Sequence, residues 1–150
     1  MKLDASETAV FRRQLKEIAT DERMRETRGH RQHGRVSTRS HEARVALVCW
    51  RLDRRLRLGA DEATLLRGAM LHDFYLYDWH RDTRGWHGLR HAARAARNAE
   101  RYFGADERVK HVIRCHMWPL DPTRIPRTRE AWLVCLADKY VSLCETVFRR

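Results

Sequence analysis

Residues 67–79 read RGAMLHDFYLYDW, and the reading of this stretch decides the fold. Its apolar spacing continues from Leu65 and Leu66, so the run is expected to be a buried helix. Leu65 and Ala69 lead to His72, while Leu66 and Met70 lead to Asp73, so two polar side chains extend apolar stripes into the interior. An unpaired carboxylate there is costly, and Asp73 needs a positive partner supplied from elsewhere in the chain.

Matching positions recur. Val45, Val48, Leu52 and Leu56 fall at three- and four-residue steps, predicting one buried face, and His41 lies one turn before Val45 on it. Val109 and Val112 lead to His116, and Val134 is followed at i+4 by Asp138 and then by Val141. A single interior histidine is explained by a core hydrogen bond, and a single interior aspartate by an arginine. Four or five such residues on separate helices point instead to a divalent metal held by imidazole and carboxylate.

The chain around these residues reads as all-α. Its 150 residues, 43% of them hydrophobic, suit one domain with a real core. Helices are expected over roughly 5–20, 37–58, 61–76, 87–103, 106–117 and 128–148, with Gly59 stopping the second and Asp61 capping the third. Loops follow Tyr77 and span Trp118 to Thr128, where the three prolines gather. The first 28 residues, charged apart from a stripe of Val10, Phe11, Leu15 and Ile18, are expected to form a peripheral helix packed on the body.

No apolar stretch approaches the roughly 20 residues of a membrane span. The opening MKLDASETAV lacks the apolar segment of a signal peptide, so a cytoplasmic location without membrane partners is expected. Cys49, Cys115, Cys135 and Cys144 show no CxxC spacing and read as reduced thiols. The net charge of +11 comes almost wholly from 27 arginines. Such a field favours phosphate-bearing partners, nucleotides or nucleic acid. The arginines are scattered, however, which also fits a compositional habit of the genome.

The order His41, His72-Asp73, Asp138 resembles the H…HD…D pattern of the HD superfamily of metal-dependent phosphohydrolases. Five blocks (QHGRVSTRSHEARVA, LLRGAMLHDFYLYDWH, LRHAARAARNAERYF, HVIRCHMWPL and LVCLADKYVSLCET) are similar to those of small, single-domain bacterial HD proteins, and the likeness covers about Arg31 to Thr146. The resemblance implies a single HD domain over 1–150, with its core at 31–146 and a helical bundle around a central metal site. It implies His41, His72, Asp73 and Asp138 as ligands of one ion, with Asp73 placed to bridge to a second. His91 and His116 fall where binuclear members place further ligands. His87, four residues before His91, competes with it, and His33 is left between an outer partner of the site and a substrate-facing residue. His30, His80 and His111 read as surface residues.

The resemblance implies one or two divalent ions and hydrolysis of a phosphate mono- or diester, with a small phosphorylated substrate of the nucleotide type. A His/Asp shell accepts manganese, iron, cobalt, nickel, zinc or magnesium. Many HD hydrolases carry a lysine three positions after the Asp of the pair, and Leu76 stands there in this chain. Phosphate contacts are therefore sought at Lys139, Arg44, Arg67 or Arg90, and the guanosine tetraphosphate and cyclic-dinucleotide branches fit less well. Asp78 is a candidate general acid or water-holding group, or else a turn cap or ion-pair partner. Phe74, Tyr75, Tyr77, Trp79 and Trp86 either stack a base or pack in the core. Two readings from other classes stand beside the enzyme: a catalytically silent metal-binding regulatory module, and an arginine-driven nucleic-acid-binding protein.

Overall fold

A computed structural model of the chain describes residues 5–27, 29, 31–33, 36–75 and 87–147. In chain order the helices are α1 (Ala5–Thr20), α2 (Glu22–Glu26), α3 (Thr38–Leu56), α4 (Glu62–Leu71), α5 (His87–Phe103), α6 (Glu107–Cys115) and α7 (Arg129–Val147). A short antiparallel ribbon, β1 (Arg31–His33) with β2 (Val36–Ser37), precedes α3 and pairs Arg31 with Ser37 and His33 with Val36. The all-α expectation holds, with this ribbon and the five-residue α2 as additions. No helix among the described residues is long and apolar enough to cross a membrane.

The N-termini obey local capping chemistry. Asp61 accepts the Thr64 N–H, Asp106 accepts the Val109 N–H and Ser37 accepts the Ser40 N–H, each satisfying an otherwise orphaned backbone donor. The end of α3 comes two residues earlier than expected. Arg57, not Gly59, takes the left-handed cap at φ 53°, and Asp53 holds the turn by accepting the Ala60 N–H at 2.9 Å.

Two helices stop short for a reason that matters later. The sequence pattern extends α4 to residue 76 and α6 to residue 117, but they end at Leu71 and Cys115. His72 Nδ1–H donates to Ala69 O, and His116 Nδ1–H donates to Ile113 O, both at 2.7 Å. Those carbonyls are the acceptors that the next backbone N–H groups would need to continue each helix, so the side chains compete with the backbone and the chain turns.

Helix α4 is the central element. Thr64, Leu65, Leu66, Gly68, Ala69, Met70 and Leu71 are all buried, and α3, α6, α7 and α1 surround it. Leu15 and Ile18 of α1 and Met24 of α2 join the same core. Along α3 the buried set is Thr38, His41, Glu42, Val45, Ala46, Cys49 and Trp50. The expected stripe fades toward the C-terminus: Val48 and Leu52 are half-buried and Leu56 is 58% exposed. Leu56 is the last residue of α3, one position before the left-handed cap at Arg57, and Leu58 and Ala60 beyond that cap pack against the core instead. All four cysteines are free thiols; Cys49, Cys115 and Cys135 are buried and Cys144 is half-buried.

Helices α4 and α6 approach closely because Gly68 has no side chain. A Cβ built there would lie 2.5 Å from Val112 Cγ1 and 3.0 Å from Val112 Cβ. Gly68→Ala gains up to about 1 kcal/mol of helix propensity but overpacks a rigid β-branched neighbour at a cost of about 1–3 kcal/mol. Urea unfolding is expected to show a net loss of stability, recovered in large part by the double change Gly68→Ala with Val112→Ala.

Candidate metal centre

Five helices deliver one or two polar side chains each to a single interior point. His41 comes from the first turn of α3, His72 and Asp73 from the turn that ends α4, His91 from α5, His116 from the C-cap of α6 and Asp138 from the middle of α7. All six are buried. Asp73 is the hub, and its two oxygens face different partners. Oδ2 lies 3.5 Å from His72 Nε2 and 4.0 Å from His41 Nε2. Oδ1 lies 3.3 Å from His91 Nε2 and 3.5 Å from His116 Nε2. Asp138 Oδ1 joins the first group at 3.0 Å from His41 Nε2 and 3.7 Å from His72 Nε2.

Within each trio, His41/His72/Asp73 and Asp73/His91/His116, every offered donor atom lies within 4.8 Å of the others. The donor chemistry fits divalent metal. His72 and His116 spend Nδ1–H on backbone carbonyls, which fixes the tautomer and leaves Nε2 with a lone pair aimed inward. His72 Nε2 is enclosed and has no hydrogen-bond partner among the described residues. His91 Nε2 and His116 Nε2 face each other at 2.9 Å beside Asp73, an arrangement that a shared cation would satisfy.

The electrostatics follow from burial without water. For Asp73, burial alone would raise the pKa, but the imidazoles of His72, His91 and His116 hold its carboxyl far below the usual carboxylate range. Burial likewise opposes Asp138, which His41 and His72 hold well below its ordinary value. His41 is pinned between two carboxylates: Nε2–H donates to Asp138 Oδ1 at 3.0 Å and Nδ1–H to Glu145 Oε2 at 2.9 Å. Burial would lower its pKa, yet those bonds and the charge of Asp73 raise it to about 10. His116 goes the other way, to about 3, because burial and the neighbouring His72 disfavour its charged form.

Two acidic residues that the sequence reading passed over belong to this region. Glu145 holds His41 Nδ1 and is itself held by Arg44 Nη1 at 3.0 Å, orienting the ring as outer carboxylates orient metal-binding histidines. Its signal was available, since it lies seven residues after Asp138 on the same face of α7. Glu42 is wholly enclosed beside His41, and neither carboxyl oxygen has a hydrogen-bond partner among the described residues. Burial, with the charge of Asp73, pushes its carboxyl well above the usual range. Its position three and four residues before Val45 and Ala46 marks it as inward-facing.

Other expected site residues are placed differently. Lys139 Nζ donates to His116 O at 2.7 Å and to Cys135 O at 3.3 Å, so it ties the end of α6 to α7. Arg67 bonds Phe103 O and pairs with Glu17 of α1, and Arg44 is engaged with Glu145. Arg90 is exposed. His111, expected at the surface, is half-buried away from the centre; its Nε2 accepts the Arg127 N–H at 3.2 Å, which fastens the proline-containing loop. Phe74 packs in the core against Phe103 and Tyr102, while Tyr75 sets its ring edge-on to His91 at 5.8 Å between centroids. Leu76, Tyr77, Asp78, Trp79, His80, Trp86 and His30 lie outside the described residues, as do the side chains of His33 and His87.

A family model described as HD domain matches residues 38–143 of the chain. No curated protein and no solved structure matches it.

The opposite shifts of His41 and His116 set the pH response of chelator-treated protein. His41, raised from 6.5 to about 10, contributes stability that is fully present below pH 6.5 and is lost as pH rises toward 10. His116, lowered from 6.5 to about 3, is protonated more readily in the unfolded chain, so its burial costs stability as pH falls from 6.5 toward 3. Thermal melts of the metal-free protein are expected to give a maximum near pH 6.5 and a decline on both sides. A midpoint that stays level from pH 6.5 to 10 would contradict the paired-carboxylate account of His41.

Proposed function

The chain belongs to the HD domain family, whose members are in general metal-dependent hydrolases, and we propose that it cleaves a phosphate mono- or diester of a small, nucleotide-type substrate at this centre. The observation that carries the reading is the division of Asp73. One oxygen faces His41 and His72 and the other faces His91 and His116, which is how a carboxylate bridges two ions. In this reading His41, His72 and Asp138 with Asp73 would hold one ion, and His91 and His116 with Asp73 would hold the other. When bound, such ions lower the pKa of coordinated water and offset charge on phosphoryl oxygens.

The chain's own residues prepare that chemistry. His41 would offer Nε2 to a bound ion, while Glu145 accepts from its Nδ1–H and fixes the ring. The carbonyl contacts of His72 and His116 hold two further nitrogens in the binding tautomer before any ion arrives. Lys139 acts as a positioning residue by bracing the carbonyl of His116. Asp78 follows the metal-facing Asp73 closely in chain order, beyond Phe74 and Tyr75, and is proposed as the group that donates a proton to the leaving oxygen or holds the water.

Protein purified without chelator is expected to carry up to two equivalents of divalent metal and to release phosphate from a panel of nucleoside monophosphates, deoxynucleotides and cyclic nucleotides. Asp73→Asn is expected to lose both ions and more than about 100-fold in rate, beyond the ~10–100-fold typical of outer partners. His91→Ala is expected to lose one ion and keep the other. Bound metal without turnover of any substrate would favour a silent regulatory module, and absence of metal after reconstitution with each candidate ion would overturn the reading. Glu145→Gln, which weakens the hold on His41, is expected to lower metal affinity by about 10–100-fold with the fold intact, measured by competition with a chelating dye.

A further inference from the structure

The outward face of α7 carries a row of large apolar side chains. Leu136 (56%), Tyr140 (60%), Leu143 (58%) and Val147 (58%) are exposed, and Trp132 extends the row by one turn. Their spacing of three and four residues puts them on one stripe along the helix. After Arg129 the remaining exposed residue of α7 is Thr146, so among the described residues this helix face carries no exposed charge, and the ammonium of Lys139 is turned onto the carbonyl of His116. This is notable in a chain that is 34% charged with a net charge of +11. Beside the stripe, between α3 and α7, runs a groove of about 280 Å³ lined by Leu47, Val48, Tyr140, Val141 and Cys144. Arg44 stands at its rim, already neutralised by Glu145 at 3.0 Å.

We infer that this face is a homodimer interface, in which two copies pack α7 against α7 about a two-fold axis near Tyr140. Three arguments select a second copy as the occupant. The face is self-complementary, since one patch holds both projecting side chains and the groove that receives them, as an isologous contact requires. Two strongly basic chains repel wherever arginines meet, and a face whose α7 stripe is apolar and whose Arg44 is paired with Glu145 lets them approach with less of that cost. A partner recruited by charge would instead dock on the arginines. Finally, the stripe runs the whole of α7, about 28 Å, so two copies can lie alongside each other over its full length.

Antiparallel packing about Tyr140 sets Leu136 of one copy opposite Leu143 of the other. It also covers the groove above Glu145, the residue that orients His41, and shields the Arg44–Glu145 pair from water. The interface thus lies on the back of the helix that supplies Asp138.

Sedimentation velocity at micromolar to tens of micromolar concentration is expected to show a species of twice the 17.9 kDa chain mass. Leu136→Glu with Leu143→Glu is expected to convert it to monomer, weakening association at least about 100-fold, the loss set by burying unpaired carboxylates in an apolar contact, while the helical circular dichroism is kept. In a Cys144→Ser background, Tyr140→Cys is expected to cross-link to itself under mild oxidation and Trp132→Cys is not; this second arm decides the matter should the glutamate variant fail to fold. A wild-type monomer throughout the range overturns the inference. So does a dimer that survives both glutamates, or one that cross-links in the Trp132→Cys variant and not in the Tyr140→Cys variant.

Discussion

The structure depends on how two carboxylates are kept ionised out of water. Asp73 and Asp138 are both buried, and desolvating such a group costs several kcal/mol unless opposite charge and hydrogen bonds offset it. The offset comes from imidazoles that arrive on four different helices. Their mutual arrangement therefore sets where helix ends must meet: α4 and α6 both finish at the centre, and in each case the terminal histidine takes over a carbonyl of its own last turn. The same two hydrogen bonds stop a helix and turn the other ring nitrogen, Nε2, toward the centre.

Around that point the packing is built for close approach. Gly68 lets α6 lie against α4, and Ala92, Ala95, Ala96 and Ala99 make the inward face of α5 thin. Small residues bring the backbones near enough for short side chains such as aspartate to reach a common centre. Lys139 and Arg44 serve the same end from outside, one bracing the C-terminus of α6 and the other the carboxylate that holds His41.

Helix α7 joins the interior to the surface. Val134, Asp138, Val141 and Glu145 point inward, while Leu136, Tyr140 and Leu143 point outward, so the helix is apolar nearly all round and interrupted only where the centre needs acid. A helix of this kind is at home between two layers. That makes the back of the helix that carries Asp138 the natural place for a second layer.

Much of this was legible in the linear order of residues. The three- and four-residue spacing of apolar positions marked the helices, and His41, His72, Asp73, His116 and Asp138 stood out because each continues an apolar stripe; His91 entered through resemblance to a family. What the spacing shows is which face a residue occupies, and nothing in it says what that face meets. The pairing of His41 with Glu145, 104 positions away, the engagement of Lys139 with a backbone carbonyl and the gathering of His72 and His116 at one centre depend on how the helices come to lie together. Periodicity is a property of one helix, set by its own backbone geometry; contact is a property of two, set by packing, and so the centre's outer supports and the meeting of its helix ends were decided only in three dimensions.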